Sequence, residues 1–264
     1  MAEVTDQTGE LDGQPVFWRE APTPSGAAPV LYLHGVPTSS DDWLPFLART
    51  GGIAPDLPGF GRSGKRGDLP YDLPFFDAWV ERFLAWRGID RVRLVVHDWG
   101  AVGLLWAQRF PERVERLAIL NAVPLLPGYR WHRWARIWRT PLLGEIAMGL
   151  TTKGLMRRAG VPPEVADQAA EHFDEGTQRA ILRLYRSAPP AALAAAGRDL
   201  GKLSCPALII WGGGDRYIAS NFADGYGAAL PASEVRHLQG AGHWPWQGCP
   251  ELIAQLGAFL DGRA

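Results

Sequence analysis

The amino-acid sequence predicts an α/β fold in which helices flank a mostly parallel sheet and a helical segment is inserted in the second half of the chain. Short apolar runs alternate with longer helical patterns on both sides of that segment, which is typical of parallel strands joined by crossover helices. Between about residues 124 and 200 the strand-like runs disappear. The 264 residues suit one large domain, or a core with an inserted subdomain.

Six apolar runs predict the strands, because they are short and rich in β-branched residues. They lie at residues 29–35, 51–56, 92–98, 114–123 and 205–212, with a shorter one at 234–242. Helical patterns predict core helices at residues 39–49, 75–87, 99–110 and 250–262. The sequence therefore assigns residues 1–123 and 201–264 to the core.

Residues 124–200 predict a helical cap over that core. In RWHRWARIWR (130–139), Trp131, Trp134 and Trp138 fall on one helical face, and the arginines fall largely on the others. Two more helices are predicted, at residues 162–173 and 177–188. Parallel sheets bind ligands beyond the carboxyl ends of their strands, so a cap there would enclose a pocket, and we expect the three tryptophans to line it.

The composition restricts the class of partner and the compartment. A formal net charge of −1 gives no field that favours nucleic acid or an anionic membrane. The two cysteines, Cys205 and Cys249, are too few for a disulfide framework. The first residues lack the pattern of a signal peptide, and no apolar run is long enough to span a bilayer. These features predict a cytoplasmic protein without a nucleic-acid or membrane partner.

Three titratable residues each follow a predicted strand. Asp98 ends LVVHD, Asp215 follows LIIWGGG, and His243 follows HLQGAG. Singly, each has an ordinary explanation: a helix N-cap, a turn residue and a packed loop histidine. Together, in this order and at the ends of three strands, they predict a catalytic triad of nucleophile, acid and histidine.

The segment HGVPTSS (34–40) predicts part of an oxyanion hole. Pro37 has no N–H, so the donor in this loop would be the backbone N–H of Val36. The second donor would be the N–H of Trp99, directly after the nucleophile. The Gly/Pro-rich loop DLPGFGRSG (56–64) is assigned no chemistry.

Five motifs carry a resemblance to a known family: HGVPTSS, DLPGFGRSG, HDWG, WGGGD and GAGHWPW. Over nearly the whole chain they resemble the α/β-hydrolase superfamily, and the aspartate in HDWG resembles its epoxide hydrolase and haloalkane dehalogenase branch. The resemblance implies an α/β-hydrolase fold with an inserted cap. It also implies a small apolar epoxide or alkyl halide and water as reaction partners, no cofactor or metal, and a monomer or homodimer.

A carboxylate nucleophile suits attack on sp³ carbon. Serine would leave an ether, which water cannot cleave, whereas Asp98 leaves an ester whose carbonyl an activated water can reach. His243, oriented by Asp215, would deprotonate that water. The sequence therefore predicts two-step hydrolysis through a covalent aspartyl ester.

The leaving group decides between the two activities, and the sequence favours an epoxide. An opening epoxide needs an acid donor, which in epoxide hydrolases is usually a pair of cap tyrosines. Tyr185 resembles the second of these in its Tyr-Arg context and in its distance from Asp215, and it shares a helical face with Ile181. Ordinary amphipathic packing would also explain Tyr185.

The sequence offers two candidates for the second proton donor. Tyr129 is one candidate, but it lies early in the cap, and the position where the family's first tyrosine would fall offers Trp138. His132 could also donate, although it is expected at the surface.

The alternative is a haloalkane dehalogenase, in which N–H groups bind the departing halide. Trp99 would be one donor and a cap tryptophan the other, because Val36 occupies the place where a side-chain donor often stands. Two further alternatives are a non-catalytic ligand-binding protein of this fold and a membrane-surface module built on the Trp/Arg helix at 130–139.

Overall fold

The computed structural model describes residues 2–23 and 26–263, and its central feature is one eight-stranded sheet. The strands are β1 Thr5–Leu11, β2 Gln14–Ala21, β3 Val30–Leu33, β4 Gly52–Pro55, β5 Val92–His97, β6 Val114–Leu120, β7 Ala207–Gly212 and β8 Ser233–Leu238. Their order across the sheet is β1-β2-β4-β3-β5-β6-β7-β8. Strands β1, β2 and β4 pair antiparallel, and all other neighbours pair parallel, so the predicted mostly parallel sheet is confirmed.

The helices are α1 Leu44–Thr50, α2 Leu73–Trp86, α3 Gly103–Arg109, α4 Arg133–Arg139, α5 Leu143–Gly149, α6 Lys153–Ala159, α7 Pro163–Glu171, α8 Glu175–Ser187, α9 Pro190–Ala196, α10 Asn221–Ala229 and α11 Glu251–Leu260. Alternate residues of the central strands join two hydrophobic clusters, one shared with α2 and α3 and the other with α1 and α11. The two clusters explain the continuous apolar runs, because both faces of these strands are buried.

Several elements differ from their predicted form. The hairpin of β1 and β2 was not predicted, because β1 is polar and mostly exposed. The predicted helix at 99–110 begins as a 3₁₀ turn over Asp98–Val102 and becomes α-helical only at Gly103. Helix α4 begins at Arg133, so the prediction that three tryptophans share one helical face is wrong for Trp131, which precedes the helix.

The segment between β6 and β7 contains the six helices α4 to α9. Helices α5, α6 and α9 were not predicted from the sequence. Within the described ranges, no helix combines the length and the apolar character needed to cross a membrane.

Candidate active site

Asp98 occupies a tight turn between β5 and the following 3₁₀ turn. Its φ of 48° lies in the left-handed region, which is unfavourable for a residue with a Cβ. Two glycines permit the close approach around it. A Cβ on Gly100 would lie 2.1 Å from the carbonyl oxygen of Leu33, and a Cβ on Gly35 would lie 2.5 Å from the Cβ of Asp98. The local sequence thus supports a strained turn at the carboxyl end of the sheet.

The structure brings Asp98, Asp215 and His243 together. The Nδ1–H of His243 donates to Oδ2 of Asp215 at 2.8 Å, and Nε2 of His243 lies 3.4 Å from Oδ2 of Asp98. All three side chains are buried. The histidine therefore lies between two carboxylates, one following β5 and the other following β7.

The charges of the three groups support one another. Burial favours a neutral His243, but Asp215 and Asp98 outweigh it and raise the pKa of His243 to about 10. Burial also acts to raise the pKa of Asp98, but the hydrogen bond to His243 and its charge hold that pKa below its usual range. At neutral pH the site therefore holds an ionised Asp98 carboxylate beside a histidinium.

The Val36 N–H donates to Oδ1 of Asp98 at 2.8 Å, and the Val36–Pro37 peptide is cis. An equivalent hydrogen bond from the Trp99 N–H to the carboxylate is not formed in the described part of the chain. Of the two predicted oxyanion donors, Val36 therefore contacts the nucleophile directly, and the role of Trp99 remains a prediction.

Asn121 was missed by the sequence analysis. Its Nδ2 donates to Oδ2 of Asp215 at 2.7 Å, and its Oδ1 accepts from the Gly212 N–H at 3.0 Å. The other oxygen of Asp215 accepts from the N–H groups of Tyr217 and Ile218 at 2.7 and 3.0 Å. A signal was present, because Asn121 is a polar residue at the end of a predicted strand, at the same sheet edge as the triad.

His97 was also missed, although it precedes the nucleophile in HDWG. It is buried, and its Nε2–H donates to the backbone oxygen of His243 at 2.9 Å. Burial lowers the pKa of His97 to about 3, so the ring is neutral. This contact fixes the backbone that carries the third member of the triad.

A largely apolar pocket lies above Asp98. Five predicted residues from the helical segment line it: Tyr129, Trp131, Trp134, Trp138 and Tyr185. The hydroxyl of Tyr129 is buried without a hydrogen-bond partner among the described residues. Trp131 cannot offer its N–H to a ligand, because that group donates to the carbonyl oxygen of Ala188 at 3.0 Å.

Trp99 packs against two residues of the pocket wall. Its ring stacks on Trp131 with centroids 5.5 Å apart and meets the edge of Tyr185 at 5.0 Å. The Trp99 indole N–H is buried and has no well-directed acceptor among the described residues. It is nevertheless close enough to the Tyr185 phenol to oppose, in part, the strong rise in the pKa of Tyr185 that burial causes.

The expectation that His132 lies at the surface is wrong. His132 lines the pocket, and its Nδ1 accepts from the Ala135 N–H at 3.3 Å as the N-cap of α4. Burial lowers the pKa of His132 to about 4. The ring is therefore neutral, with its proton on Nε2. In the described ranges, His, Cys, Asp and Glu form no group of three or more that could hold a metal ion.

Comparison with known proteins agrees with this architecture. Residues 30–256 match the model of the alpha/beta hydrolase family. A haloalkane dehalogenase of Bradyrhizobium diazoefficiens is 31% identical over an alignment of 280 positions, which covers 91% of this chain and 88% of that protein. Haloalkane dehalogenase 1 of Mycobacterium bovis is 32% identical over 237 residues, covering 82% of this chain and 75% of that protein.

A solved structure is also similar. The crystal structure of the haloalkane dehalogenase DbeA from Bradyrhizobium elkani has a TM-score of 0.84 and 28% identity, with 99% of each chain covered. The predicted α/β-hydrolase fold, and the resemblance to the branch that contains the dehalogenases, are thus confirmed. The chain belongs to the alpha/beta hydrolase family and is a hydrolase of that type.

Proposed function

We propose that this chain is a haloalkane dehalogenase that works through a covalent ester on Asp98. An oxygen of the ionised carboxylate attacks the carbon that bears the halogen, the new C–O bond forms, and the carbon–halogen bond breaks with release of halide. The apolar pocket above Asp98 suits an alkyl chain. The burial of Asp98, with Val36 and His243 on its two oxygens, supports its role as the nucleophile.

The second step is hydrolysis of the ester. Alkylation removes the negative charge of Asp98, so one of the two groups that raise the pKa of His243 is lost. The histidine then releases its proton more easily and can take one from water, while Asp215 holds the ring in place. Hydroxide adds to the ester carbonyl, the alcohol leaves, and the Asp98 carboxylate is regenerated.

One observation favours a halide over an epoxide oxygen as the leaving group. The Trp99 indole, directly after the nucleophile, keeps an N–H that is buried without a well-directed acceptor, and a departing halide needs such donors. Relatives that are similar over most of their length are named haloalkane dehalogenases, which supports the same choice. We propose that helices α4 to α9 form the cap that encloses this reaction.

Epoxide hydrolysis is the second candidate. The sequence favoured an epoxide substrate, but the names of these relatives do not support that preference. However, the phenols of Tyr129 and Tyr185 both belong to residues of the pocket wall, and burial raises the pKa of Tyr185 well above its usual value, so it stays protonated. A phenol could therefore protonate the oxygen of an epoxide that Asp98 opens.

The test compares turnover of 1-bromobutane and styrene oxide, with bromide and diol measured separately. Bromide release by the wild type, and none by Asp98→Ala, would support the dehalogenase. Diol formation without bromide release would establish the epoxide activity instead. The cytoplasmic location and the monomeric or dimeric state remain predictions.

A further inference from the structure

The outer face of helix α5 is unusually apolar for a surface. Leu142, Leu143, Ile146 and Leu150 are 76%, 55%, 60% and 68% exposed, and they account for all but one of the large exposed apolar side chains in the described residues. Leu143, Ile146 and Leu150 follow one another at spacings of three and four residues and share one side, opposite the buried Gly144 and Met148, and Leu142 directly precedes the helix. We call these four side chains the α5 apolar patch. Contiguous exposed patches of this kind mark interaction sites.

Close packing on the inner side makes the patch face outward. A Cβ on Gly144 would lie 2.5 Å from the carbonyl oxygen of Trp138 and 2.9 Å from the side chain of Leu182. Helix α5 is thus seated tightly on α4 and α8, and it cannot turn its leucines inward without losing this contact.

The sequence segment that carries the patch is strongly basic. Residues 130–160 contain seven arginine or lysine side chains and one carboxylate, whereas the whole chain has a formal net charge of −1. The single carboxylate, Glu145, is neutralised by Arg186 at 2.7 Å. Four exposed arginines of this segment form no ion pair within the described ranges: Arg130, Arg133, Arg136 and Arg158. The low total charge of the chain therefore results from a basic segment at residues 130–160 and a net acidic charge over the other residues.

We propose that the α5 apolar patch and its arginines dock the protein on the surface of an anionic lipid bilayer. Apolar side chains enter the interface while arginines bind acidic head groups, which is the chemistry of peripheral membrane helices. A second copy of the chain fits less well, because joining two such surfaces would bring the like charges together. Neutral bilayers lack the charge that would complement the arginines.

The position of the patch connects docking with the pocket. Ala147 and Met148 of α5, with Thr151 and Leu155 beyond it, line the pocket above Asp98. The helix that would rest on the bilayer is therefore part of the pocket wall. An apolar substrate that partitions into lipid would be concentrated at this wall. The docking surface itself does not depend on which leaving group the site accepts.

The test is co-sedimentation of the full chain with vesicles of phosphatidylcholine containing phosphatidylglycerol, and with vesicles of phosphatidylcholine alone. We expect binding to the anionic vesicles, weakened by high salt. The variant Arg133→Glu/Arg136→Glu should lower the partition coefficient at least about tenfold. The variant Ile146→Ser/Leu150→Ser should also lose binding, through the apolar contact alone.

A matched control makes the same change of charge elsewhere. Arg49 and Arg198 are exposed and, among the described residues, form no ion pair, so Arg49→Glu/Arg198→Glu should bind anionic vesicles like the wild type. Circular dichroism would show that each variant is folded. The proposal is overturned if the wild type does not bind anionic vesicles, or if both charge-reversal variants lose binding equally. It is also overturned if the patch variants bind vesicles like the wild type and only dissociate a dimer in sedimentation equilibrium.

Discussion

Asn121 donates its amide hydrogen to the same oxygen of Asp215 that accepts from His243, at 2.7 and 2.8 Å respectively. The other Asp215 oxygen accepts two backbone N–H groups, so the carboxylate is held on both sides. Charged hydrogen bonds of this kind fix the direction in which a carboxylate points. Asn121 is therefore a positioning residue, which acts on the reaction through Asp215.

Replacing Asn121 should slow the hydrolysis step. The loss of a hydrogen bond to a charged group costs about 1.5–3 kcal/mol, so Asn121→Ala should lower the rate of ester hydrolysis by roughly ten- to a hundredfold. Asn121 has a φ of 39°, and alanine would be strained there, so Asn121→Gly is the matched variant. Single-turnover kinetics should show the same slowing in both. If only the alanine variant is slow, the defect lies in the backbone and not in the lost bond.

Replacing His243 should separate the two chemical steps. Alkylation of the ionised Asp98 needs no base, whereas hydrolysis does, so His243→Gln should accumulate an alkylated protein after mixing with substrate. Intact-protein mass spectrometry should show the added alkyl mass, and peptide mapping should place it on Asp98. The double variant Asp98→Asn/His243→Gln should stay unmodified. Turnover by His243→Gln without any adduct would contradict the two-step scheme.

Replacing Tyr185 and replacing Trp99 should lower the turnover of different substrates. Tyr185→Phe removes a phenol from the pocket wall, and loss of a donor to a developing oxyanion costs about 10²–10³ in rate, so diol formation from an epoxide should fall by that factor. Bromide release should change little. Trp99→Phe should show the opposite pattern, because it removes the indole N–H proposed for the halide. Steady-state rates with both substrates would check this, and equal losses on both would contradict the assignment.

The stability of the fold should fall in mild acid, partly through His97. Burial lowers the pKa of His97 to about 3, below the unfolded value, so its contribution is complete above about pH 6.5 and is lost as the pH falls towards 3. Burial lowers the pKa of His34 as well, with the same sign. The pKa of His243 is raised to about 10, so its contribution is complete below about pH 6.5 and is lost as the pH rises from there towards 10.

The variant His97→Gln isolates this effect. Between pH 7 and pH 5 the free energy of unfolding of the wild type should fall by about 2 kcal/mol more than that of the variant. Urea unfolding at the two pH values measures the difference. An equal fall in both proteins would show that His97 is not held neutral in the folded state.

The sequence by itself determined the fold class and the position of the chemistry. Continuous apolar runs ending in Asp98, and followed by Asp215 or His243, indicated strands whose carboxyl ends meet at one edge. These signals are local, since strand periodicity and turn chemistry depend on a few neighbouring residues.

Only the tertiary structure decided the contacts between distant segments. It showed that Asn121 holds Asp215, that Trp131 gives its N–H to a carbonyl, and that His132 faces the pocket. It also showed that the leucines and the isoleucine of α5 are exposed, within a basic segment of a chain whose total charge is close to zero. Burial and hydrogen-bond partners arise from packing between parts of the chain far apart in sequence, so no local pattern specifies them.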